Sequence, residues 1–300
     1  MQPPEPPPST ERDPSQARPV QIGSAGQVPF APELPRARPA GRSDPLAIGE
    51  RRLHVAIDVL LVLGLFIVLV VAIGFVPPLQ NPPPTAPTDE ATQRSPLQPL
   101  AVVFTGGVAV LLVLGAARVH RQPWATLGFR SANVLLDVGL GVAACLGFLV
   151  CLVAATTALW LADPAMFEVI QESGDRLQAM LPPMSPVTIL LLSAWVGVHE
   201  ELLFRGFLLP RLRRLFGSWT AAVVAGSVFF ALLHGYEGAI AVVAIFFLSL
   251  VLSVLFVWRR SLLPVVVGHF LFDLLQLTLL QMRSRMFPSD SPAPAWAWWS

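Results

Sequence analysis

Seven apolar runs, at about 53–76, 99–118, 134–161, 187–209, 218–235, 238–258 and 262–282, alternate with polar joints along the chain. Each run is long enough, as a helix, to approach or cross roughly 30 Å of hydrocarbon. The pattern predicts an all-α polytopic transmembrane helix bundle of about seven spans, eight at most. The joints carry the charge. Arg51 and Arg52 precede the first run, and Arg118, Arg121 and Arg130 follow the second. Arg211, Arg213 and Arg214 follow the fourth, and Arg259 and Arg260 follow the sixth. The alternate joints hold Asp89, Glu90, Asp163, Glu168, Glu172 and Asp175 against only Arg94 and Arg176. The positive-inside rule then gives a cytoplasmic N-terminus and an external C-terminus. Trp124, Trp160, Trp219 and Trp258 fall near the ends of runs, where amphipathic rings settle.

Outside the runs the chain changes character. Residues 1–52 hold 12 of the 30 prolines and show no apolar periodicity, the signature of a disordered proline-rich tail. No apolar segment near Met1 resembles a cleavable signal peptide. A second proline-rich stretch, PPLQNPPPTAPTDEATQRSPLQP, reads as a surface loop, as does the acidic 163–186. The tail PAPAWAWWS reads as a Trp-rich interfacial anchor.

Composition narrows the function classes. The chain is 54% hydrophobic and 13% charged, which places it in a membrane rather than in water. Its 20 basic residues are all arginine, none in a tract interleaved with aromatics, so nucleic acid is excluded as a partner. Arginine-only basic usage with abundant Ala, Val, Leu and Pro points to a GC-rich bacterial source, and so to a bacterial plasma membrane. Cys145 and Cys151 share one apolar run and suit packing rather than a disulfide or metal knuckle.

Ionisable side chains inside hydrocarbon cost a few kcal/mol each on insertion scales and usually mark a function. Apart from Asp58 and Asp137, near the run boundaries, they gather in three runs. The fourth holds His199, Glu200, Glu201 and Arg205. The fifth ends in FFALLHGYEG, with Phe230 and His234. The seventh contains VVGHFLFDLL, with His269 and Asp273. Glu201 and Arg205 are i and i+4 and can pair, while Glu200 is turned about 100° away and faces something else. His269 and Asp273 also share a face. Glu200 and His234 lie about 25 Å from the turn joining their helices, at matching depth. A carboxylate and an imidazole on facing helices can activate water, and a second imidazole with a hydrogen-bonding partner can stabilise an oxyanion. The same donor types are ordinary zinc ligands. The zincin signature H-E-x-x-H is excluded, because position 203 is Leu203.

These residues resemble the CAAX prenyl protease and bacteriocin-processing family of intramembrane endopeptidases. Its E-E-x-x-x-R motif is matched by Glu200, Glu201 and Arg205. F-x-x-x-H is matched by Phe230 and His234, and H-x-x-x-N/D by His269 and Asp273. WATLGFR, Trp124 to Arg130, resembles a stretch common upstream in bacterial members. The resemblance divides the chain into a tail at 1–52, membrane helices and loops at 53–186, a catalytic membrane domain at 187–283 and a Trp-rich end at 284–300. It implies peptide-bond hydrolysis in a membrane-associated substrate, prenylated or bacteriocin-like. Glu200 with His234 activates the water, His269 with Asp273 forms the oxyanion site, and Glu201, Arg205 and Phe230 support them. If a metal takes part, a divalent ion such as zinc, its ligands are Glu200, His234 and His269. Asp273 stands where eukaryotic prenyl proteases have asparagine, which keeps both a glutamate-type and a metal-dependent mechanism open. His199 receives no role.

Two other classes use the same residues. A proton-coupled transporter would relay protons through the buried Glu and His, but such carriers show related halves and the chain shows none. A non-catalytic membrane scaffold or immunity protein would keep the fold without turnover.

Overall fold

The structure is a computed structural model that describes residues 51–74 and 98–286. The proline-rich tail up to residue 50, the second proline-rich stretch up to residue 97 and the Trp-rich end from residue 287 lie outside the described residues. The elements in chain order are α1 (Arg52–Gly74), α2 (Gln98–Val119), a 3-10 turn at Trp124–Leu127, α3 (Val134–Ala162) and α4 (Ala165–Met180). Then follow α5 (Pro186–Glu201), a π-helical segment at Leu202–Leu208 and α6 (Leu209–Phe216), which run on as one helix. The chain ends with α7 (Trp219–Leu233), a 3-10 turn at Gly235–Glu237, α8 (Ala239–Arg259) and α9 (Leu263–Met286).

Six of these helices are long and apolar enough to cross a membrane, with α5 to α6 counting as a single 31-residue crossing. The seventh apolar helix, α7, has only 15 residues and is about 22 Å long, short of a full span. His234 caps its end, and a 3-10 turn at Gly235–Glu237 leads into α8.

The acidic segment expected as a loop at 163–186 is largely the helix α4. Its pattern explains why: Met166, Phe167, Ile170 and Leu177 recur at helical spacing and are half-buried, while Glu172, Asp175 and Arg176 on the other side are exposed. Short-range sequence signals set the other boundaries. Asn133 caps α3 by accepting from Leu136 N at 3.0 Å, and Ser185 caps α5 by accepting from Thr188 N at 3.1 Å ahead of Pro186.

Missing side chains let the helices approach. A Cβ on Gly141 of α3 would lie 2.4 Å from the Pro264 carbonyl of α9. One on Gly197 of α5 would lie 3.2 Å from Phe270 N of α9. Small residues at both crossings seat α9 between α3 and α5, the usual way that helices in lipid gain close contact. Gly197 lies one turn before the E-E-x-x-x-R residues, and Phe270 directly follows His269, so this crossing places the two motifs beside each other.

Candidate functional site

The site is built from α5, the π segment, the end of α7 and α9. Glu201 is fully buried and its Oε1 takes two partners, Arg205 Nη1 at 2.6 Å and His269 Nδ1 at 2.7 Å. The sequence pairs Glu201 with Arg205 alone; that it also reaches across to α9 is visible only in three dimensions. Arg205 is equally buried and donates through Nη2 to the Ser249 hydroxyl at 2.9 Å and carbonyl at 3.2 Å on α8. Ser249 is a site residue that sequence reasoning missed. The signal was present, because Ser249 and Ser253 form an i, i+4 polar stripe in an apolar run, and both are buried.

Hydrogen bonding fixes both imidazoles. The His269 Nδ1 proton goes to the Glu201 carboxylate, so Nε2 is the atom turned toward chemistry. That Nε2 lies 3.8 Å from Glu200 Oε2 and 3.5 Å from Asp273 Oδ2, beyond good hydrogen-bonding distance in each case. His234 Nδ1 donates to the Phe230 carbonyl at 2.9 Å, which leaves its Nε2 available as well. Phe230 holds the centre together. Its ring is 4.7 Å from Phe204, 4.8 Å from His234 and 6.1 Å from His269, and the Arg205 guanidinium sits 4.8 Å from its centroid. Glu200, turned the other way from Glu201, lies within electrostatic reach of His234, His269, His199 and Arg205.

Two carboxylate atoms here break the rule that buried polar groups are paired. Glu200 Oε2 and Glu201 Oε2 are buried and accept no hydrogen bond from the protein. The structure thus gathers Glu200, Glu201, Arg205, Phe230, His234, His269 and Asp273 around one locus, and His199 also lies within electrostatic reach of Glu200. His199 is buried against α2, where a Cβ on Gly106 would approach its ring to 2.8 Å, and its Nδ1 bonds the Trp195 carbonyl at 2.9 Å.

The 3-10 turn Gly235–Glu237 directly follows His234. Tyr236 lies 6.0 Å from the His234 ring and also lines an apolar groove of about 310 Å³ formed by the ends of α1, α2 and α4 and the start of α5. Glu237 is buried beside it, and burial pushes its carboxyl above the ordinary carboxylate range despite the neighbouring His234. One carboxylate and two imidazoles have the donor chemistry of a zinc site. As they stand, however, no three His, Cys, Asp or Glu side chains among the described residues are grouped closely enough to grip an ion.

Residues 182–275 match the family model described as type II CAAX prenyl endopeptidase Rce1-like. The chain is similar to this family over that segment. All three motifs fall inside it, as their resemblance to that family implies. The Rce1-like segment covers less than half of the chain; no curated protein and no solved structure matches the chain.

Proposed function

We propose that the chain is an intramembrane endopeptidase that hydrolyses a peptide bond in a membrane-associated substrate, and that Glu200, His234, His269 and Asp273 carry the reaction. Glu200 is the general base. It takes a proton from a water held between its carboxylate and His234 Nε2, and the water oxygen attacks the substrate carbonyl. The oxyanion that forms is met by His269 Nε2 in its protonated state, with Asp273 orienting that edge or donating when it is itself protonated. The proton on Glu200 then passes to the leaving amine, so the base of the first step is the acid of the second. Glu201 and Arg205 hold His269 and do not touch the reacting atoms. Phe230 walls the site. The steps are written through the chain's own residues; if a divalent ion such as zinc binds, Glu200, His234 and His269 would hold it and it would polarise the water.

The observation that carries this reading is the buried, unbonded Glu200 Oε2 facing the free edge of a fixed imidazole. Leaving a charged acceptor unpaired in an apolar bundle is costly, and a site that must accept from water and substrate explains it. We place the arginine-rich helix ends on the cytoplasmic side of a bacterial plasma membrane, from the same charge asymmetry that predicts the topology. The test is cleavage of a membrane-tethered reporter peptide by purified protein in liposomes. Wild type cleaves and Glu200→Gln does not; equal rates overturn the reading. Metal analysis of the same preparation, with a chelator added to the assay, is expected to leave the rate unchanged. Loss on chelation with restoration by zinc would instead make Glu200, His234 and His269 ligands.

A further inference from the structure

The charged residue in α1 that the sequence sets aside as a boundary case is buried at the arginine-rich end of the bundle. Asp58 is 9% exposed and Arg211 of α6 only 1%. Arg211 Nη2 lies 3.2 Å from Asp58 Oδ2 and 3.3 Å from Gln122 Oε1, and Nη1 lies 3.3 Å from the Phe207 carbonyl. His120 Nε2 holds the other Asp58 oxygen at 2.9 Å. The Arg211 guanidinium also covers the Phe207 ring at 3.7 Å. Three separate parts of the chain meet here, and none of the meeting residues belongs to the three motifs.

The position of this cluster gives it meaning. The π segment Leu202–Leu208 begins directly after Glu201 and ends just before Pro210, and Leu209 N bonds the Phe204 carbonyl five residues back. Pro210 supplies no backbone donor and crowds the carbonyl four residues earlier, a recognised cause of disturbed helix winding. Wider winding has poorer geometry than the α form and persists only where its surroundings hold it. Two buried arginines hold it. Arg205 ties the segment to Glu201 and α8, and Arg211, one turn beyond the other end, ties it to α1. A π turn amounts to one residue inserted into an α-helix. Relaxing it would rotate Glu200 and Glu201 by about 100° relative to Arg211. Glu201 could not then reach His269.

We propose that Asp58 and Arg211 form a positioning clamp that keeps the π segment wound, so that α1 helps to set the geometry of Glu200 and Glu201. The activity readout rests on the endopeptidase reading; the structural readout does not. In liposomes, at a temperature where every variant is fully folded, Asp58→Asn is expected to lower kcat about ten- to hundredfold, as small misplacements of reacting groups do, with KM within about twofold. The charge swap Asp58→Arg with Arg211→Asp recovers part of the loss. A pair that merely stabilises the bundle would lower the melting temperature and leave the kcat of folded enzyme at the wild-type value, and that result overturns the proposal. Where a single variant fails to fold, Asp58→Leu with Arg211→Leu removes both charges together. Folded protein with reduced kcat supports the clamp, and wild-type kcat overturns it. If wild type cleaves nothing, the protease reading fails by itself, and hydrogen exchange decides the clamp. Exchange at residues 202–209 rises about tenfold in Asp58→Asn while α9 is unchanged if the clamp exists, and is the same as wild type if it does not.

Discussion

Two kinds of buried charge occupy this bundle, and they are wired differently. At the arginine-rich end, Asp137 accepts from Ser131 at 2.7 Å and from Arg259 Nε at 2.8 Å, and Asp58 is held by His120 and Arg211. Every carboxylate oxygen named in these contacts has a partner. Around His269 the proportions reverse. Glu201 Oε1 is doubly bonded, yet Glu201 Oε2 and Glu200 Oε2 accept nothing, and His269 Nε2 faces Glu200 and Asp273 across gaps of 3.8 and 3.5 Å. The first arrangement neutralises charge and fastens helices. The second leaves acceptors and an imidazole edge free at the cost of stability, as sites reserved for a reacting molecule do.

The comparison predicts that substitutions will separate activity from folding according to which set they touch. After the loss of cleavage in Glu200→Gln, His234→Ala should show the next largest effect, a fall in kcat of about 10²–10⁴-fold in the liposome cleavage assay with little change in thermal melting, since His234 is half-buried and its side chain hydrogen-bonds the Phe230 carbonyl of its own helix. Arg205→Ala should damage both, because it strands the fully buried Glu201. Breaking a buried pair by removing one partner costs about 3–5 kcal/mol, read as a large drop in melting temperature in detergent. Asp137→Asn should cost about 1–3 kcal/mol of stability by weakening the bonds to Arg259 and Ser131 while kcat stays at the wild-type value. A kcat loss there would blur the division between fastening and reacting charges.

Smaller effects sharpen it further. Glu237 is a buried acid whose carboxyl is pushed up by burial, so its ionised form is disfavoured in the folded state. Its contribution is complete below the ordinary glutamate value of 4.5 and is lost as pH rises through the folded value. Glu237→Gln should therefore raise the melting temperature slightly at neutral pH, and the gain should vanish below about pH 4.5; a constant gain at both would contradict the burial argument. Arg176→Ala breaks only the exposed i, i+4 pair with Glu172 and should change stability by less than about 0.5 kcal/mol.

How far the sequence reached depends on whether a feature is local. Motif spacing carried Glu201 to Arg205 and His269 beside Asp273, because i and i+4 are neighbours on any helix. It also carried the apolar spans, since their length is set by the hydrocarbon. It did not carry Glu201 to His269, which depends on a crossing made close by Gly197, nor Arg205 to Ser249 on α8. Asp58 and Asp137 do lie near helix ends, but their burial and their cross-helix partners were not legible, because hydropathy reports composition and not which face is covered. The helix α4 was hidden by its prolines at either end and its acidic content, although its apolar positions have helical spacing. The π segment has no hydropathy signature at all. Pro210 was its only trace, and a proline in a long apolar helix ordinarily suggests a kink.

The central claim is that Glu200 activates water for attack on a peptide carbonyl. Cleavage of the tethered peptide in H₂¹⁸O reads this directly, by mass spectrometry of the new C-terminus. Wild type should place a single ¹⁸O in that carboxylate on first turnover, and folded Glu200→Gln should yield no labelled product. Labelled product from Glu200→Gln at the wild-type rate would contradict the account.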